Sequence, residues 1–304
     1  TNPAASVLIT TQSLAHIADF AFSGTATITG ITLQRIGVSA DTTLSNVYVF
    51  DGASRITDSA SVASGGIINF TNSAGIFSVA GSKTISVKAD MGGTAGETVG
   101  VKLTGVTVST GSVSGLPISG SIHSTAAATL AAVALGTASA SGNADPGTGM
   151  LVWQSTATIS TRDITLSRLA LRQIGSINSA DIKNFKLYVD GIESGTVAAL
   201  DGNGYVTFSL SKSLVTGARI IKVTADVIGG SGRTVQMSLR GAYDISVTDS
   251  QYLAGITATA TGGFPLGAAA WTVNAGTMTV VKSSASPSTN VTVGGSDVSL
   301  AKYT

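Results

Sequence analysis

Ile85-Ser86-Val87-Lys88-Ala89 alternates apolar and polar side chains with a period of two. Successive side chains of an extended chain point to opposite faces, so one face of this stretch is buried and the other is wet. The same alternation runs through Val99-Gly100-Val101-Lys102-Leu103, Phe185-Lys186-Leu187-Tyr188-Val189, Ile221-Lys222-Val223-Thr224-Ala225 and Val235-Gln236-Met237-Ser238-Leu239. A wet face points to antiparallel sheets, because parallel sheets are covered on both sides and read as continuous apolar runs. Between the runs stand Asp51-Gly52, Ser64-Gly65-Gly66, Asp190-Gly191 and Asp201-Gly202-Asn203-Gly204, residues suited to the left-handed backbone of hairpin turns. Short strands recurring at intervals of about 8 to 15 residues predict an all-β chain of antiparallel β-sandwiches.

Composition agrees and removes several functions. Of 304 residues 37 are Gly, and Ser, Thr, Ala and Val crowd the rest, which disfavours long helices. Apolar residues make up 43% and charged residues 11%, a combination that argues against intrinsic disorder. Seventeen Lys and Arg against 16 Asp and Glu leave a net charge of +1, so no basic footprint for nucleic acid or an anionic membrane is present. Cysteine is absent, which removes thiol nucleophiles, disulfide scaffolds and cysteine metal clusters. His16 and His123 are too few for a three-histidine zinc site, and the scattered carboxylates nominate no acid–base pair. The expectation is a non-enzymatic protein without cofactor or metal. No apolar run approaches the length of about 18 residues needed to span a bilayer, Thr129 interrupting the longest small-apolar stretch, 126–136. With no initial Met and no basic segment ahead of an apolar core, the sequence reads as cytoplasmic or already processed.

The sequence repeats at domain length. Ile31-Thr32-Leu33-Gln34-Arg35-Ile36-Gly37 matches Leu169-Ala170-Leu171-Arg172-Gln173-Ile174-Gly175, 138 positions on. Asn46-Val47 leading to Asp51-Gly52 returns as Asn184-Phe185 leading to Asp190-Gly191, and Ile67-Ile68-Asn69-Phe70 returns as Tyr205-Val206-Thr207-Phe208. Ile85 to Asp90 pairs with Ile221 to Asp226. The expected organisation is a sandwich over 1–125, a homologous sandwich over 126–262, and a strand-forming tail over 263–304 that begins the unit a third time. In that tail Ser286-Pro287 and Ala301-Lys302-Tyr303 parallel Asn2-Pro3 and Ala18-Asp19-Phe20. Ahead of Ser286 lies an alternating segment, Thr277-Met278-Thr279-Val280-Val281-Lys282, whose counterpart in the second unit is Thr129 to Leu135. The first unit has no counterpart, so its sandwich is expected to lack a strand and to expose unpaired backbone beside its core.

The motifs ITGITLQRIG, LSNVYVFDG and GSKTISVKADM, echoed by LALRQIG, IKNFKLYVDG and IIKVTADV, resemble the Ig-like tandem repeats of secreted bacterial and archaeal surface proteins, including surface-layer-like proteins. The resemblance implies an Ig-like sandwich and an exported protein displayed or assembled at the cell surface; it brings no catalytic residues. The expected function is a structural subunit of an extracellular filament or surface layer. Its partners are identical subunits, joined head to tail by donation of 277–282 to the first sandwich of the next copy. An adhesin or carbohydrate-binding module in contact with glycan or cell wall is the alternative. Two other arrangements stay open: the chain as a window of a longer tandem array, and return of the tail to its own first sandwich.

Trp153 shares a strand face with the Phe20 and Phe22 positions, offering either a sugar-stacking platform or a repeated core aromatic, and the latter is expected. Trp271, outside both predicted sandwiches, is a candidate interface anchor. Asp90, Asp226 and Asp201-Gly202-Asn203-Gly204 offer oxygens for calcium, but without the dense acidic spacing of a loop site they read as turn chemistry. His16 is expected on a strand face and His123 in a linker. Asn69-Phe70-Thr71 and Asn290-Val291-Thr292 match the asparagine glycosylation pattern, with Asn69 facing outward.

Overall fold

The computed structural model describes residues 2–275, 279–288 and 290–302. Among them the only helical segments are three single 3-10 turns; the rest of the regular structure is strand. The first sandwich contains β1 (Val7–Ile9), β2 (Ala15–Ile36), β3 (Leu44–Asp51), β4 (Ser54–Arg55), β5 (Ile67–Thr71), β6 (Phe77–Met91), β7 (Thr98–Val108), β8 (Ile118–Ser119) and β9 (His123–Ala126). The second begins with β10 (Ala132–Leu135), β11 (Gly147–Ser160), β12 (Ile164–Gln173), β13 (Ile182–Val189), β14 (Ile192–Val197), β15 (Tyr205–Leu214) and β16 (Gly217–Val227). It continues with β17 (Thr234–Val235), β18 (Met237–Leu239), β19 (Ile245–Asp249), β20 (Gly255–Ile256), β21 (Thr259–Ala260), β22 (Leu266–Gly267) and β23 (Trp271–Thr272).

The two units share a plan but divide it differently. β2 is a single 22-residue strand: its first part pairs with β6, and its second part lies between β5 and β7. In the second unit the same path breaks into β11 and β12 at Thr161, whose φ of 74° turns the chain from one sheet to the other. Its two six-stranded sheets run β14-β13-β16-β11-β10-β21 and β20-β19-β12-β18-β22, with β15 beside β12. Leu187, Val223 and Trp153 of the first sheet meet Leu169, Leu171 and Ile245 of the second in one core. A separate core in the first unit gathers Phe20, Val49, Ile85 and Val87 with Ile31, Leu33 and Val101.

The repeated Ile-Gly of the matched motifs has a steric cause. A Cβ at Gly37 would lie 2.3 Å from the Thr98 carbonyl oxygen, and one at Gly175 would lie 2.3 Å from that of Thr234. Both glycines let the end of the long strand pass against the next sheet strand. Gly175→Ala is expected to destabilise the second sandwich by about 1 to 3 kcal/mol, as overpacking does. Urea unfolding checks this; an unmoved midpoint contradicts it.

The structure revises the expected end of the second unit at residue 262. β22 pairs with β18 and β23 with β17, and Leu266, Trp271 and Val273 are buried in the second core. Val99 pairs with His123 and Val235 with Trp271, so the closing strands correspond at a spacing of 148, not 138. The longer spacing reflects residues around β20 and β21, which have no counterpart strands between β7 and β8. The sandwich closes only when these later residues are included.

Candidate functional site

The feature that differs most between the units is one edge of β2. Phe20 pairs with Ile85 and Phe22 with Lys83, while their counterparts Ser155 and Ala157 pair with Ile221 and Arg219. On its other side, β11 carries β10 along Ala157–Ser160. Counted through the shared β6 and β16 register, those positions correspond to Phe22–Thr25. Among the described residues no strand runs along that side of β2 between Asp19, whose N–H is taken by the Asn2 side chain at 2.9 Å, and Thr27, whose carbonyl accepts from Ser109 N. Ala21, Ser23 and Thr25 share the side of Asp19 and Thr27 by the period of two, and all three are exposed. In the second unit the same lane holds Val133 and Leu135, buried in the core, with β21 covering the outer edge of β10.

β10 is pinned by a buried carboxylate. Asp249 is wholly inaccessible; its Oδ2 accepts from Ala131 N at 2.7 Å and from Arg162, and its Oδ1 accepts from Gln251 N and Tyr252 N. Burial pushes its carboxyl up, but the Arg162 bond and these backbone N–H groups outweigh it and bring the pKa down to about 2. Asp19, beside the open edge, is raised by burial but held below the ordinary range by bonds from Ser86 and His16.

The other sequence candidates fall as follows. Of the predicted donor segment, Thr277 and Met278 lie outside the described residues; Thr279, Val280, Val281 and Lys282 are in no strand, and Val280 and Val281 are 59% and 52% exposed. Trp271 is 2% exposed, which corrects its reading as an interface anchor: it fills the second core and presents no face to a partner. His123 is not a linker residue. It is fully buried at the position equivalent to Trp271, with Nε2 3.0 Å from the Ile17 carbonyl and Nδ1 accepting from Ser6 N at 3.3 Å. Trp153 is fully buried, its Nε1 donating to the Leu266 carbonyl at 3.2 Å, which overturns the sugar-platform reading at this residue. His16 sits exposed on its strand, 2.6 Å from Asp19.

Asn69 and Asn290 are exposed, and Asn69 Oδ1 accepts from the Thr32 hydroxyl. Asp201 Oδ1 accepts from Asn203 N and Tyr205 N, the turn chemistry expected of that loop. Asp90 accepts from the hydroxyls of Ser13 and Tyr48, and Asp226 from Asn184 and Gly149 N, so both carboxylates hold backbone and side chains in place. Among the described residues no three His, Asp or Glu side chains converge as a metal set, and no helix is long and apolar enough to cross a membrane.

No family model matches the chain, and no curated protein matches it. Solved structures do. A putative membrane-anchored protein from Corynebacterium diphtheriae aligns over 91% of this chain at 10% identity and a TM-score of 0.20, and the chain spans 58% of that protein. Fibronectin(III)-like modules of Clostridium thermocellum CbhA align over 89% of this chain and 90% of their own at 13% identity and a TM-score of 0.18. The major pilin subunit of Bacillus cereus, as its BcpA*(D312A) variant, aligns over 75% of this chain and 70% of its own at 8% identity and a TM-score of 0.17. Likenesses of this size carry nothing about architecture, activity or assembly.

Proposed function

We propose that the chain is a structural unit of an extracellular assembly in which segment 277–282 of one copy supplies the strand along Phe22–Thr25 of the next. The observation that carries this reading is the open side of β2, where the homologous sandwich holds β10. The position of the tail supports it as well. Applying the 148-residue spacing of the closing strands to β10 lands on 280–283, so the tail follows the second sandwich as β10 follows the first. β10 leaves one sandwich to complete the next, and the tail is in phase to do the same for a following one. A seated donor gains backbone hydrogen bonds worth about 1 kcal/mol each and buries Val281 in the place of Val133, worth roughly 1.5 to 3 kcal/mol. Because donor and acceptor are different surfaces, the contact is head to tail and propagates without closing.

The test is assembly of three preparations followed by negative-stain microscopy and analytical ultracentrifugation. The whole chain is expected to form regular fibres or sheets. Deletion of 275–304 is expected to leave a monomer with both unfolding transitions intact, since the second core closes at Val273. A synthetic 275–304 peptide is expected to bind the deleted chain one to one, and the same peptide with Val281→Asp to bind at least tenfold more weakly. A whole chain that stays monomeric overturns the proposal. Assembly of the deleted chain does so equally.

A further inference from the structure

Within the chain the first sandwich docks on the second through the outer face of β3, β4 and β6. Val47 and Val49 point into the first core, so Tyr48 and Phe50 point out of it, yet these two are only 2% and 0% exposed. The second sandwich covers them. The Tyr48 ring lies 5.6 Å from that of Tyr243, and the Arg168 guanidinium stands 5.6 Å from the Phe50 ring centre. Arg55, opposite Phe50 on β4, lies 4.2 Å over the Tyr243 ring, with its Nε 3.9 Å from the buried Asp244. The repeat gives the second sandwich the same face, and there it is open. Tyr48 pairs with Lys88 and Phe50 with Ser86; at the matching positions of β13 and β16, Lys186 pairs with Thr224 and Tyr188 with Lys222. Glu193 lies opposite Tyr188 on β14 as Arg55 lies opposite Phe50 on β4. The Lys186 and Glu193 side chains are 46% and 44% exposed, and Tyr188 is half-buried, with Lys222 Nζ 4.7 Å from its ring centre. A tyrosine held in place on an open face is the residue type that anchors interfaces.

What covers this face follows from the joint already built. Under strand donation the chain runs from Trp271 to 280–283 over as many residues as it runs from His123 to β10. The accepting copy's first sandwich therefore arrives at the Tyr188 face as the second sandwich arrives at the Phe50 face. The surface that arrives is the counterpart of the one around Arg168. Counting back from the matched Ile31 and Leu169, Gly30 stands in the place of Arg168, and its β7 neighbour Thr107 in the place of Ser246. The first sandwich also lacks the turn that carries Tyr243 and Asp244: only Thr104 and Gly105 separate Leu103 from Val106, where five residues separate Leu239 from Ile245. The arriving surface is flatter, and uncharged at these positions. The Tyr188 face fits both changes. Lys222 supplies over Tyr188 the cation that Arg168 supplies over Phe50, so the facing position has only to leave room, as Gly30 does. Lys186 is paired within its own face, 3.1 Å from Glu193, and asks no acid of the other side, whereas Arg55 has Asp244 across the joint. We propose that the face of Lys186, Tyr188 and Glu193 binds the Gly30 and Thr107 face of a second copy's first sandwich, repeating between copies the joint that exists within one. The inference rests on strand donation to bring the two faces together, and adds a side-chain contact that donation does not by itself require.

The chain has no cysteine, so single introduced cysteines report the contact. Whole chains carrying Lys186→Cys and Thr107→Cys are mixed, allowed to assemble, treated with a short bismaleimide and mapped by mass spectrometry. A 186–107 crosslink is expected, and none from Lys186→Cys to Ala95→Cys, which lies beyond the opposite end of β7. Tyr188→Ala is expected to raise the concentration needed for fibres at least tenfold, and Tyr188→Phe to stay close to the natural chain. Neither variant is expected to unfold the second sandwich, read by circular dichroism, or to change binding of the 275–304 peptide to the chain lacking it. Fibres without the 186–107 crosslink, or Tyr188→Ala fibres at the concentration the natural chain needs, overturn this contact and leave strand donation standing. Crosslinks from Lys186→Cys to itself overturn it too, because like faces meeting make a closed dimer. Failure of the peptide to bind while 186–107 crosslinks form upholds the face and removes strand donation. A chain that neither assembles nor crosslinks overturns both.

Discussion

Trp153→Ala is expected to destabilise the second sandwich by about 3 to 5 kcal/mol, the range for emptying a buried aromatic site. Trp153 has no accessible surface and packs in the core that joins both sheets. Its indole N–H also satisfies the Leu266 carbonyl, so the substitution leaves an orphan acceptor as well as a cavity. Trp153→Phe retains much of the volume and is expected to cost less, on the order of 1 to 3 kcal/mol, chiefly for the lost bond. Guanidinium unfolding followed by tryptophan fluorescence and circular dichroism separates the two sandwiches. A Trp153→Ala chain with both transitions unmoved contradicts the burial described here.

Asp249→Asn is expected to cost about 3 to 5 kcal/mol, because it removes the charge from a buried pair and sets an amide against groups that can only donate. The effect depends on pH in a definite direction. The folded carboxyl titrates at about 2, below its ordinary 3.8. Its stabilisation is therefore complete above about pH 4 and is lost as pH falls toward 2. The stability gap between the natural chain and Asp249→Asn should narrow across that window, and a gap that stays constant would show that Asp249 does not titrate in this way. Since Asp249 also holds Ala131 N at the entrance to β10, the variant should loosen the strand that fills the edge left open in the first sandwich. Hydrogen exchange at Ala132–Leu135 reports that directly.

Much of this arrangement is written locally in the chain. The alternation in Ile85–Ala89 and Ile221–Ala225 identifies β6 and β16, and Asp201-Gly202-Asn203-Gly204 announces its turn through an aspartate that caps its own loop. Trp271 and His123 show where such reading ends. They occupy equivalent core positions opposite Val235 and Val99, but one is a large aromatic and the other an imidazole, and the spacing between them departs from the 138 positions that separate Ile31–Gly37 from Leu169–Gly175. Nothing in either residue's neighbourhood signals the equivalence. The joint between the sandwiches is less legible still: Arg55, Arg168 and Asp244 are far apart in the chain and belong to no motif.

The sequence by itself determined that the chain is all-β and which face of its alternating strands is buried, because both follow from side-chain alternation between near neighbours, and that its unit is repeated, because the same motifs return in order about 138 positions on. The tertiary structure decided which edges are paired. It closed the second sandwich with residues beyond 262, placed β10 between β11 and β21, and paired β2 from Phe20 to Ala26 with β6 on one side, with no strand on the other among the described residues. Edge pairing and domain contact depend on groups brought together across more than a hundred residues, and no local period encodes such distances.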